Sequence, residues 1–388
     1  MTARVKNSLL RAAGAMLAAL SLLCVVSGCT KSSVGDDVVV DIGTPIPVQS
    51  AAATEPPHAD PATPAPTEDI TPAPTFLTVP PILSKSGTYV SYEGTNVIRV
   101  DDRAYEVCYY VPDVAKLYAD IMASAAQKLA GVTNVYSLVI PAAYGVMMPD
   151  DMKDKVPSKI DLGECIENTY AMMPENVRTV SCYDSLMYHR NEFIYFRTDH
   201  HWTQLGAYYA YEAFMQKKGA RAYPLDAHRT AEYGDFLGTL YRDSKSDPAL
   251  LPAETIKVWY PVSEGVKMEV HYQNGAVAQV PIIEDAGKFG TSAKYSIFAG
   301  GDNPLTVFTN PAVTDGSVLI VIKESFGDAM MPFLCDHYST VYEIDYRLWD
   351  GDLIQLAKDV HATDMLFANS IAVVSAKVSL GKINGIIK

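Results

Sequence analysis

The sequence predicts a layered α/β domain with a mostly parallel β-sheet and a β-rich insertion. Strand-like apolar runs alternate with helix-like segments in two parts of the chain, and a hairpin-like pattern separates them at about 245–310. With the first 84 residues set aside, roughly 300 residues remain, which is enough to bury a large core. We therefore expect one large domain over residues 85–388.

The first part of the domain alternates helices with strands. Apolar side chains recur on one helical face of Asp113–Ala130, and Val135–Ile140 has the apolar character of a buried strand. Pro141-Ala142-Ala143 follows at the carboxyl end of that strand, where open α/β sheets usually place their sites. A helix over Ile160–Met173 and a strand over Val177–Tyr183 are predicted next.

The β-rich insertion contains one clear hairpin signal. Val266–Tyr272 and Ala276–Val280 are alternating runs on either side of Gln273-Asn274-Gly275, and Asn-Gly between such runs favours a tight turn. The insertion could shape a substrate groove or cover a sheet edge, and the sequence leaves both roles open.

The alternation returns after the insertion. It begins with the strand-like run Val318–Lys323 and continues with a helix over Asp328–Cys335, a strand over Thr340–Ile344, a helix over Asp352–Asp359 and a strand over Met365–Ala368.

Residues 1–28 have the composition of an export signal. They carry three basic residues, no acidic residue, and an apolar run over Leu9–Val26 that is short for a membrane-spanning anchor. The run ends in Val26-Ser27-Gly28-Cys29, which resembles the bacterial lipobox and implies that Cys29 is lipidated and begins the mature chain. An ordinary signal peptide with a chance cysteine is the alternative.

Residues 29–84 are rich in proline, threonine and alanine and poor in large apolar side chains. Such a segment cannot bury enough surface to offset its ordering entropy, so we expect a disordered, extended tether. A lipid on Cys29 followed by a tether predicts a protein anchored to the cell membrane. Its domain would stand on the extracytoplasmic face, with the membrane as a partner.

The charge of the chain argues against some partners. It has 31 Lys and Arg residues against 45 Asp and Glu, a net charge of −14, which disfavours nucleic acid and anionic lipid headgroups. It has no Walker or dinucleotide-binding glycine pattern, and no cofactor is expected.

The domain contains four cysteines, Cys108, Cys165, Cys182 and Cys335. An exported protein can oxidise such residues, but their spacing favours none of the three pairings. No C-x-x-C spacing occurs, so we expect no cysteine-bound metal.

A carboxylate and an imidazole stand two residues apart in the segment Arg197–Thr203. The preceding run Glu192–Phe196 is predicted as a short strand, and if the extended backbone continues, Asp199 and His201 share one face while His200 faces away. A carboxylate beside an imidazole fixes its tautomer and stabilises its cation, as a serine nucleophile requires. A structural pair that ties the loop to the next helix is the alternative.

The best candidate nucleophile is Ser325, because Glu324–Gly327 lies between a predicted strand and a predicted helix. A serine at such a turn is exposed, and the backbone N–H groups of Phe326 and Gly327 are expected beside it as oxyanion donors. An ordinary helix N-cap is the alternative role of this serine.

Other residues near these motifs are expected to have structural roles. Thr203 is expected to cap a helix that begins at Gln204, Trp202 to pack in the core, and Asp345 with Arg347 to form an ion pair at a strand end.

Two further site hypotheses are weaker. Gly301 and Asn303 lie in a tight Gly-Gly-Asp-Asn-Pro turn and could donate hydrogen bonds to an oxyanion. A metal site on His200 and His201 would need further ligands, and no H-x-x-x-H or similar spacing supplies them, so no metal is expected.

Several motifs together resemble the DHHW family of bacterial surface proteins over about residues 85–388. They are Thr198–Phe214, Gly238–Tyr241, Gly300–Asp302, Lys323–Phe326 and Ile344–Arg347. That family is similar to the alginate O-acetylation proteins, whose fold belongs to the Ser-Gly-Asn-His (SGNH) hydrolase superfamily.

The resemblance implies a serine-dependent site with an Asp-x-His pair that precedes the serine in the chain. Asp199 would be the acid, His201 the base and Ser325 the nucleophile, although Glu324 replaces the aspartate usual before the serine. The implied activity is O-acetyl transfer or acetyl-ester hydrolysis on an envelope or exported polysaccharide, with an acetyl donor partner in the membrane. The alternative is a noncatalytic surface or glycan-binding protein that retains the fold.

Overall fold

The computed structural model describes residues 80–83 and 87–388. The predicted export signal, Cys29 and most of the predicted tether lie outside these residues. No helix in the described part of the chain is long and apolar enough to cross a membrane. At the end of the predicted tether, Leu83 pairs with Asp150: its N–H donates to Asp150 Oδ2 (3.0 Å) and its carbonyl accepts from the Asp150 N–H (2.7 Å).

Strands and helices alternate through most of the described domain. The strands are β1 (Tyr89–Ser91), β2 (Val97–Val100), β3 (Arg103–Glu106), β4 (Asn134–Ile140), β5 (Val177–Val180), β6 (Thr230–Phe236), β7 (Glu254–Trp259), β8 (Lys267–His271), β9 (Val277–Val280), β10 (Leu305–Thr309), β11 (Val318–Lys323), β12 (Thr340–Asp345) and β13 (Asp364–Ser370). The α-helices are Pro112–Lys128, Ala143–Met147, Leu162–Ala171, Tyr183–Tyr188, Gln204–Lys218, Thr239–Asp243, Met331–Leu334, Leu353–Asp359, Ile371–Val374 and Lys377–Ile386.

The central sheet has eight strands in the order β5-β4-β13-β11-β12-β10-β8-β9. Neighbours from β5 to β12 are parallel, and β10, β8 and β9 continue the sheet with antiparallel pairing. The predicted α/β class with a mostly parallel sheet is confirmed. Strands β6 and β7 form a separate two-stranded pair, and β1–β3 form a three-stranded antiparallel sheet.

The middle strands are apolar because both faces of the sheet are covered. All six residues of β11 and all seven of β13 are buried, which is typical of parallel strands flanked by helices. The helix Pro112–Lys128 buries Val114, Tyr118, Ile121 and Met122. The candidate site thus lies at the carboxyl ends of fully buried strands.

The predicted hairpin is present in the β-rich region. Strands β8 and β9 pair antiparallel, and Gly275 between them has a φ of 81°, a left-handed conformation that favours glycine. Strands β8, β9 and β10 extend the main sheet beyond β12. This part of the predicted insertion thus covers a sheet edge. Strand β7, also in the predicted insertion, pairs instead with β6, which precedes the insertion in the chain.

One local prediction was wrong and another was right only in part. Glu192–Phe196 is not a strand, since only Tyr195 pairs with Trp202 as an isolated bridge. The chain instead reverses direction, and the Phe196 N–H donates to the His201 carbonyl (3.3 Å). The predicted helix Asp328–Cys335 is a 3-10 turn over Gly327–Met330 followed by one short α-helix.

Candidate active site

Ser325 lies in a sharp turn directly after β11. The turn closes through a hydrogen bond from the Gly327 N–H to the Glu324 carbonyl (2.8 Å). A Cβ on Gly327 would lie 2.5 Å from Lys323 Cβ, so the turn requires glycine there. The Ser325 side chain does not cap the following helical turn. Its Oγ lies 2.6 Å from His201 Nε2.

Asp199 and His201 meet through a local turn and not through an extended strand. The backbone N–H of His201 donates to Asp199 Oδ1 (3.0 Å), which is an Asx turn. The same oxygen lies 2.6 Å from His201 Nδ1. A carboxylate only accepts, so Nδ1 carries the ring proton and Nε2 accepts from the Ser325 hydroxyl.

A second set of donors fixes the other oxygen of Asp199. Oδ2 accepts from the Thr239 N–H (2.8 Å) and from the Thr239 hydroxyl (3.1 Å). Just before Asp199, the buried Glu254 carboxylate on β7 accepts from the N–H groups of Arg197 (2.7 Å) and Thr198 (2.8 Å). Hydrogen bonds therefore hold both oxygens of Asp199 in place.

The electrostatics of the pair favour an ionised acid and a neutral base. Burial and the neighbouring His200 lower the pKa of His201 to about 4, although Asp199 opposes the shift. Burial alone would raise the pKa of Asp199, but the two imidazoles and its hydrogen bonds lower it well below the usual range. At neutral pH His201 is thus ready to accept a proton.

Two aromatic side chains contact His201 and the turn that carries Ser325. The Tyr295 ring stacks on His201 with a centroid distance of 3.9 Å and an angle of 6°. Trp202 is fully buried, as expected of a packing residue, and its Nε1–H donates to the Phe326 carbonyl (2.9 Å). Trp202 therefore ties the Asp199–His201 loop to the Ser325 turn.

Three of the four expected oxyanion donors are engaged elsewhere. The Gly327 N–H bonds to Glu324, and the Gly301 N–H donates to the Phe298 carbonyl (2.9 Å). The Asn303 amide donates to the carbonyls of Gly300 (3.0 Å) and Gly301 (3.2 Å). Within the described residues, the Phe326 N–H has no acceptor, and this donor lies next to Ser325 in the chain.

Glu324, which replaces the aspartate usual before the serine, links the Ser325 turn to the end of β13. Its buried carboxylate accepts from the Ser370 N–H (2.8 Å) and from Asn369 Nδ2 (3.2 Å). These contacts join the end of β13 to the nucleophile turn. The longer side chain thus spans to the neighbouring strand.

A buried charge cluster lies behind the nucleophile turn. Lys323 contacts the carboxylate of Asp328 and lies near those of Asp302 (3.6 Å), Glu343 (3.7 Å) and Asp345 (4.0 Å). Burial opposes its charge, but the surrounding carboxylates raise the pKa of Lys323.

The expected ion pair between Asp345 and Arg347 is present, with Arg347 Nη2 2.5 Å from Asp345 Oδ2. The same nitrogen lies 2.5 Å from Asp302 Oδ1. Asp302 comes from the Gly-Gly-Asp turn, so this turn contributes a carboxylate where the sequence suggested an oxyanion donor.

A cavity of about 160 Å³ opens at the carboxyl ends of the parallel strands. It is lined by Glu106, Cys108, Ala142, Ala143, His200, Glu324, Ser325, Phe326, Arg347, Ser370, Ile371 and Ala372. Residues after β4, β11, β12 and β13 all contribute, as expected for an open α/β sheet. The small alanine side chains leave room for a short acyl group.

His200 does not face away as predicted, because the turn replaces the expected strand. Its ring lines the cavity and lies 3.9 Å from the His201 ring. Asp199, His200 and His201 offer donor atoms within 4.8 Å of one another, a spacing that a metal ion could bridge. Hydrogen bonds already engage Nδ1 of both rings and both Asp199 oxygens, and we assign no metal ligands.

The four cysteines of the domain are free thiols, and Cys165, Cys182 and Cys335 are buried. Cys108 is half-buried and lines the cavity. Burial raises the pKa of Cys108 to about 11, so its thiolate is disfavoured.

Thr239 and Tyr295, which contact Asp199 and His201, were not predicted from the sequence as part of the site. Thr239 lies in the Gly238–Tyr241 motif that carried the family resemblance, which was the available signal. Tyr295 lies in the 3-10 segment Thr291–Ile297, whose sequence has no periodic pattern that points to the site.

Several solved structures share this fold. A DHHW family protein from Eubacterium siraeum DSM 15702 is 25% identical, with a TM-score of 0.70, over 79% of this chain and 100% of that one. PatB1 from Bacillus cereus, solved with a sulfonyl adduct, is 17% identical with a TM-score of 0.59, over 73% of this chain and 97% of that one.

A more distant likeness is the O-acetyltransferase domain of Pseudomonas putida AlgJ, 11% identical with a TM-score of 0.39, over 77% of this chain and 99% of that one. Comparison with curated proteins gives no match. The layered α/β fold of this chain is shared with the DHHW family protein and with PatB1. The family model described as DHHW protein matches residues 84–344, and the chain therefore belongs to the DHHW family.

Proposed function

We propose that this protein is a serine-dependent acyl-ester enzyme that transfers or hydrolyses O-acetyl groups on an envelope or exported polysaccharide. The observation that carries the proposal is the unbroken hydrogen-bonded chain from Ser325 Oγ through His201 to Asp199. Each side chain has the neighbours that its role in nucleophilic catalysis requires.

In the first half-reaction, Ser325 Oγ attacks the ester carbonyl carbon while His201 Nε2 takes the hydroxyl proton. Asp199 stabilises the imidazolium, and the Phe326 N–H is placed to donate to the oxyanion. His201 then gives the proton to the leaving alcohol oxygen, which leaves acetyl-Ser325. Water or an acceptor hydroxyl reverses these steps and returns the proton to Ser325 through His201.

Labelling and turnover test the nucleophile. We expect a fluorophosphonate to label the wild-type domain and a Ser181→Ala control, in which an exposed serine outside the cavity is changed. Ser325→Ala should not be labelled. Turnover of 4-nitrophenyl acetate by Ser325→Ala should fall at least about a thousandfold, nearly as far as in the Ser325, His201 and Asp199 triple alanine variant, because such residues act as a unit.

Undiminished turnover by Ser325→Ala would overturn the enzymatic proposal. The noncatalytic alternative would then remain, with the cavity as a glycan-binding site. A large separation of Ser325 from His201 would have favoured the noncatalytic alternative. The two side chains are instead 2.6 Å apart, so their geometry does not favour it.

We further propose that lipidation of Cys29 anchors the chain to the cell membrane, on the extracytoplasmic face, near a membrane partner that supplies acetyl groups. The support is the Val26-Ser27-Gly28-Cys29 sequence after an apolar run. A Cys29→Ser variant should leave the membrane fraction. If it stays membrane-bound and uncleaved, the segment is a different kind of anchor.

A further inference from the structure

His200 lies beside the base and faces the same cavity as Ser325. Its Nδ1 is 2.8 Å from the Thr239 hydroxyl oxygen, and its ring is 3.9 Å from that of His201. The side chain is 28% exposed, and no described residue bonds to its Nε2. The proposed catalytic steps do not use His200 Nε2.

The hydrogen bonds around Thr239 fix the tautomer of the neutral ring. The Thr239 hydroxyl donates its only proton to the Asp199 carboxylate, which can only accept. Its oxygen must therefore accept from His200 Nδ1–H. Consequently Nε2 of His200 carries the lone pair of a ring that lines the cavity, while Nε2 of His201 carries one beside Ser325 Oγ.

The acetyl-enzyme would leave two acceptors side by side. Once Ser325 Oγ carries the acetyl group, it has no proton to donate to His201 Nε2. Both histidines then present a lone pair near the acyl carbon, on rings 3.9 Å apart. Two hydroxyl groups on adjacent carbons can span such a pair.

We propose that His200 selects an acceptor with neighbouring hydroxyl groups, a vicinal diol such as a sugar ring presents. One hydroxyl oxygen attacks the acetyl carbon and gives its proton to His201, which passes it to Ser325 Oγ as that bond breaks. The adjacent hydroxyl donates a hydrogen bond to His200 Nε2 and orients the acceptor. This inference rests on the proposed acetyl-Ser325 intermediate.

A competition between a diol and a mono-ol tests the inference. With 4-nitrophenyl acetate as donor, acetylation of cis-cyclohexane-1,2-diol and of cyclohexanol is measured by gas chromatography. Wild type should favour the diol about five- to tenfold per hydroxyl group, the effect of one added hydrogen bond. The measured quantity is the ratio of diol to cyclohexanol acetylation by the same variant. A variant that forms less acetyl-enzyme loses both products equally, so this ratio does not change.

Variants separate a hydrogen-bonding role from a packing role. His200→Phe keeps a ring but no acceptor, and its preference should fall to about twofold or less. His200→Gln retains an amide that can donate to Thr239 and accept from the diol, and should keep part of the preference. Ser181→Ala changes an exposed residue outside the cavity and should keep the wild-type ratio.

The outcomes distinguish this inference from the proposed function. Release of 4-nitrophenol that depends on Ser325 keeps the proposed function. If the two alcohols are then acetylated equally, if only hydrolysis occurs, or if the preference survives in His200→Phe, only the role of His200 is overturned. If wild type releases no more 4-nitrophenol than Ser325→Ala, the acetyl-enzyme and the inference with it are refuted.

Discussion

Asp199 has two functions, one for each of its oxygens. Oδ1 accepts from the backbone and the ring of His201, so it shapes the turn and fixes the tautomer of the base. Oδ2 accepts from the backbone and the hydroxyl of Thr239. Because the same carboxylate determines backbone shape and ring orientation, a displacement of Asp199 should affect both.

The pH dependence of acylation should reflect the buried setting of His201. The free base must be neutral, and burial and His200 lower its pKa to about 4. We therefore expect kcat/KM for 4-nitrophenyl acetate to stay level from neutral pH to about pH 5 and to fall tenfold per pH unit below about 4. An ordinary histidine would already lose activity near pH 6.5.

Far-UV circular dichroism at each pH separates loss of the base from acid unfolding. A domain that is still folded with an acid limb near pH 6.5 would contradict the lowered pKa of His201.

Gly238 permits close approach of the backbone to Asp199. A Cβ added there would lie 2.2 Å from Asp199 Cβ and 2.3 Å from its Oδ2. Gly238→Ala should displace the acid and reduce kcat/KM by about 100-fold, since shifts of about 1 Å near catalytic groups have costs of this size. Gly234→Ala is the matched control, because no atom lies within 4 Å of its added Cβ. Equal activities of the two variants would show that Asp199 tolerates the displacement.

At the scale of elements, the strands bring a charge cluster into the sheet interior. Lys323 ends β11 and pairs with Asp345 at the end of β12, and Glu343 lies two residues before Asp345. Burial raises the pKa of Glu343 to about 7, so its charge depends on the nearby cation. The cluster connects the turn that carries Ser325 to β12.

Lys323→Met should lower the free energy of unfolding by about 3–5 kcal/mol, because removing one partner leaves buried carboxylates without a counter-charge. The loss should be larger at pH 8 than at pH 6, since Glu343 takes up a proton as the pH falls through 7. Urea denaturation at both pH values measures this.

Lys116→Met is the control for the buried charge. Lys116 pairs with Asp120 at a surface where both side chains are more than half exposed, and this change should cost under about 1 kcal/mol. Similar losses for the two lysines would contradict a stabilising role of the cluster.

Elements with a periodic or unbroken apolar pattern were predictable from the sequence, as β11 and the helix Pro112–Lys128 show. Local side-chain chemistry explains the exceptions. Glu192–Phe196 has strand-like residues, but the Asx turn at Asp199 reverses the chain directly after it. Propensity does not reveal this because one side-chain hydrogen bond decides the path.

The candidate site was predictable only where the local sequence carries the information. Asp199, His201 and Ser325 stand in local contexts that indicate their chemistry. The partners of Lys323 come from residues 302, 328, 343 and 345, which only the folded sheet brings together. The orientation of His200 also depends on a contact 39 residues away, with Thr239.

For the whole molecule, sheet topology joins distant parts of the chain at one edge. Ser325 and His201 are 124 residues apart in sequence and in hydrogen-bond contact. The turn after β11 supplies Ser325, and the ends of β4, β12 and β13 supply the cavity walls. The loop that carries Asp199 and His201 is hydrogen-bonded to Glu254, which lies outside the parallel part of the sheet.

The N-terminal boundary of the domain can be located by truncation. A chain that begins at Pro80 should unfold cooperatively with the stability of the chain from Cys29, because residues 29–79 have few large apolar side chains to bury. A chain that begins at Gly87 loses both hydrogen bonds between Leu83 and Asp150. Its free energy of unfolding should be about 2 kcal/mol lower, at about 1 kcal/mol per bond.

Asp150→Ala tests the bond from the Leu83 N–H to Asp150 Oδ2, because alanine removes that acceptor and keeps the backbone N–H that donates to the Leu83 carbonyl. Asp150 also pairs with Arg190 (3.0 Å), a contact that both truncated chains retain. The substitution should therefore cost more in the chain from Pro80 than in the chain from Gly87, because only the longer chain contains Leu83. Equal costs in urea denaturation would place the stabilising contact elsewhere, and a loss of stability on removing residues 29–79 would show that the tether packs on the domain.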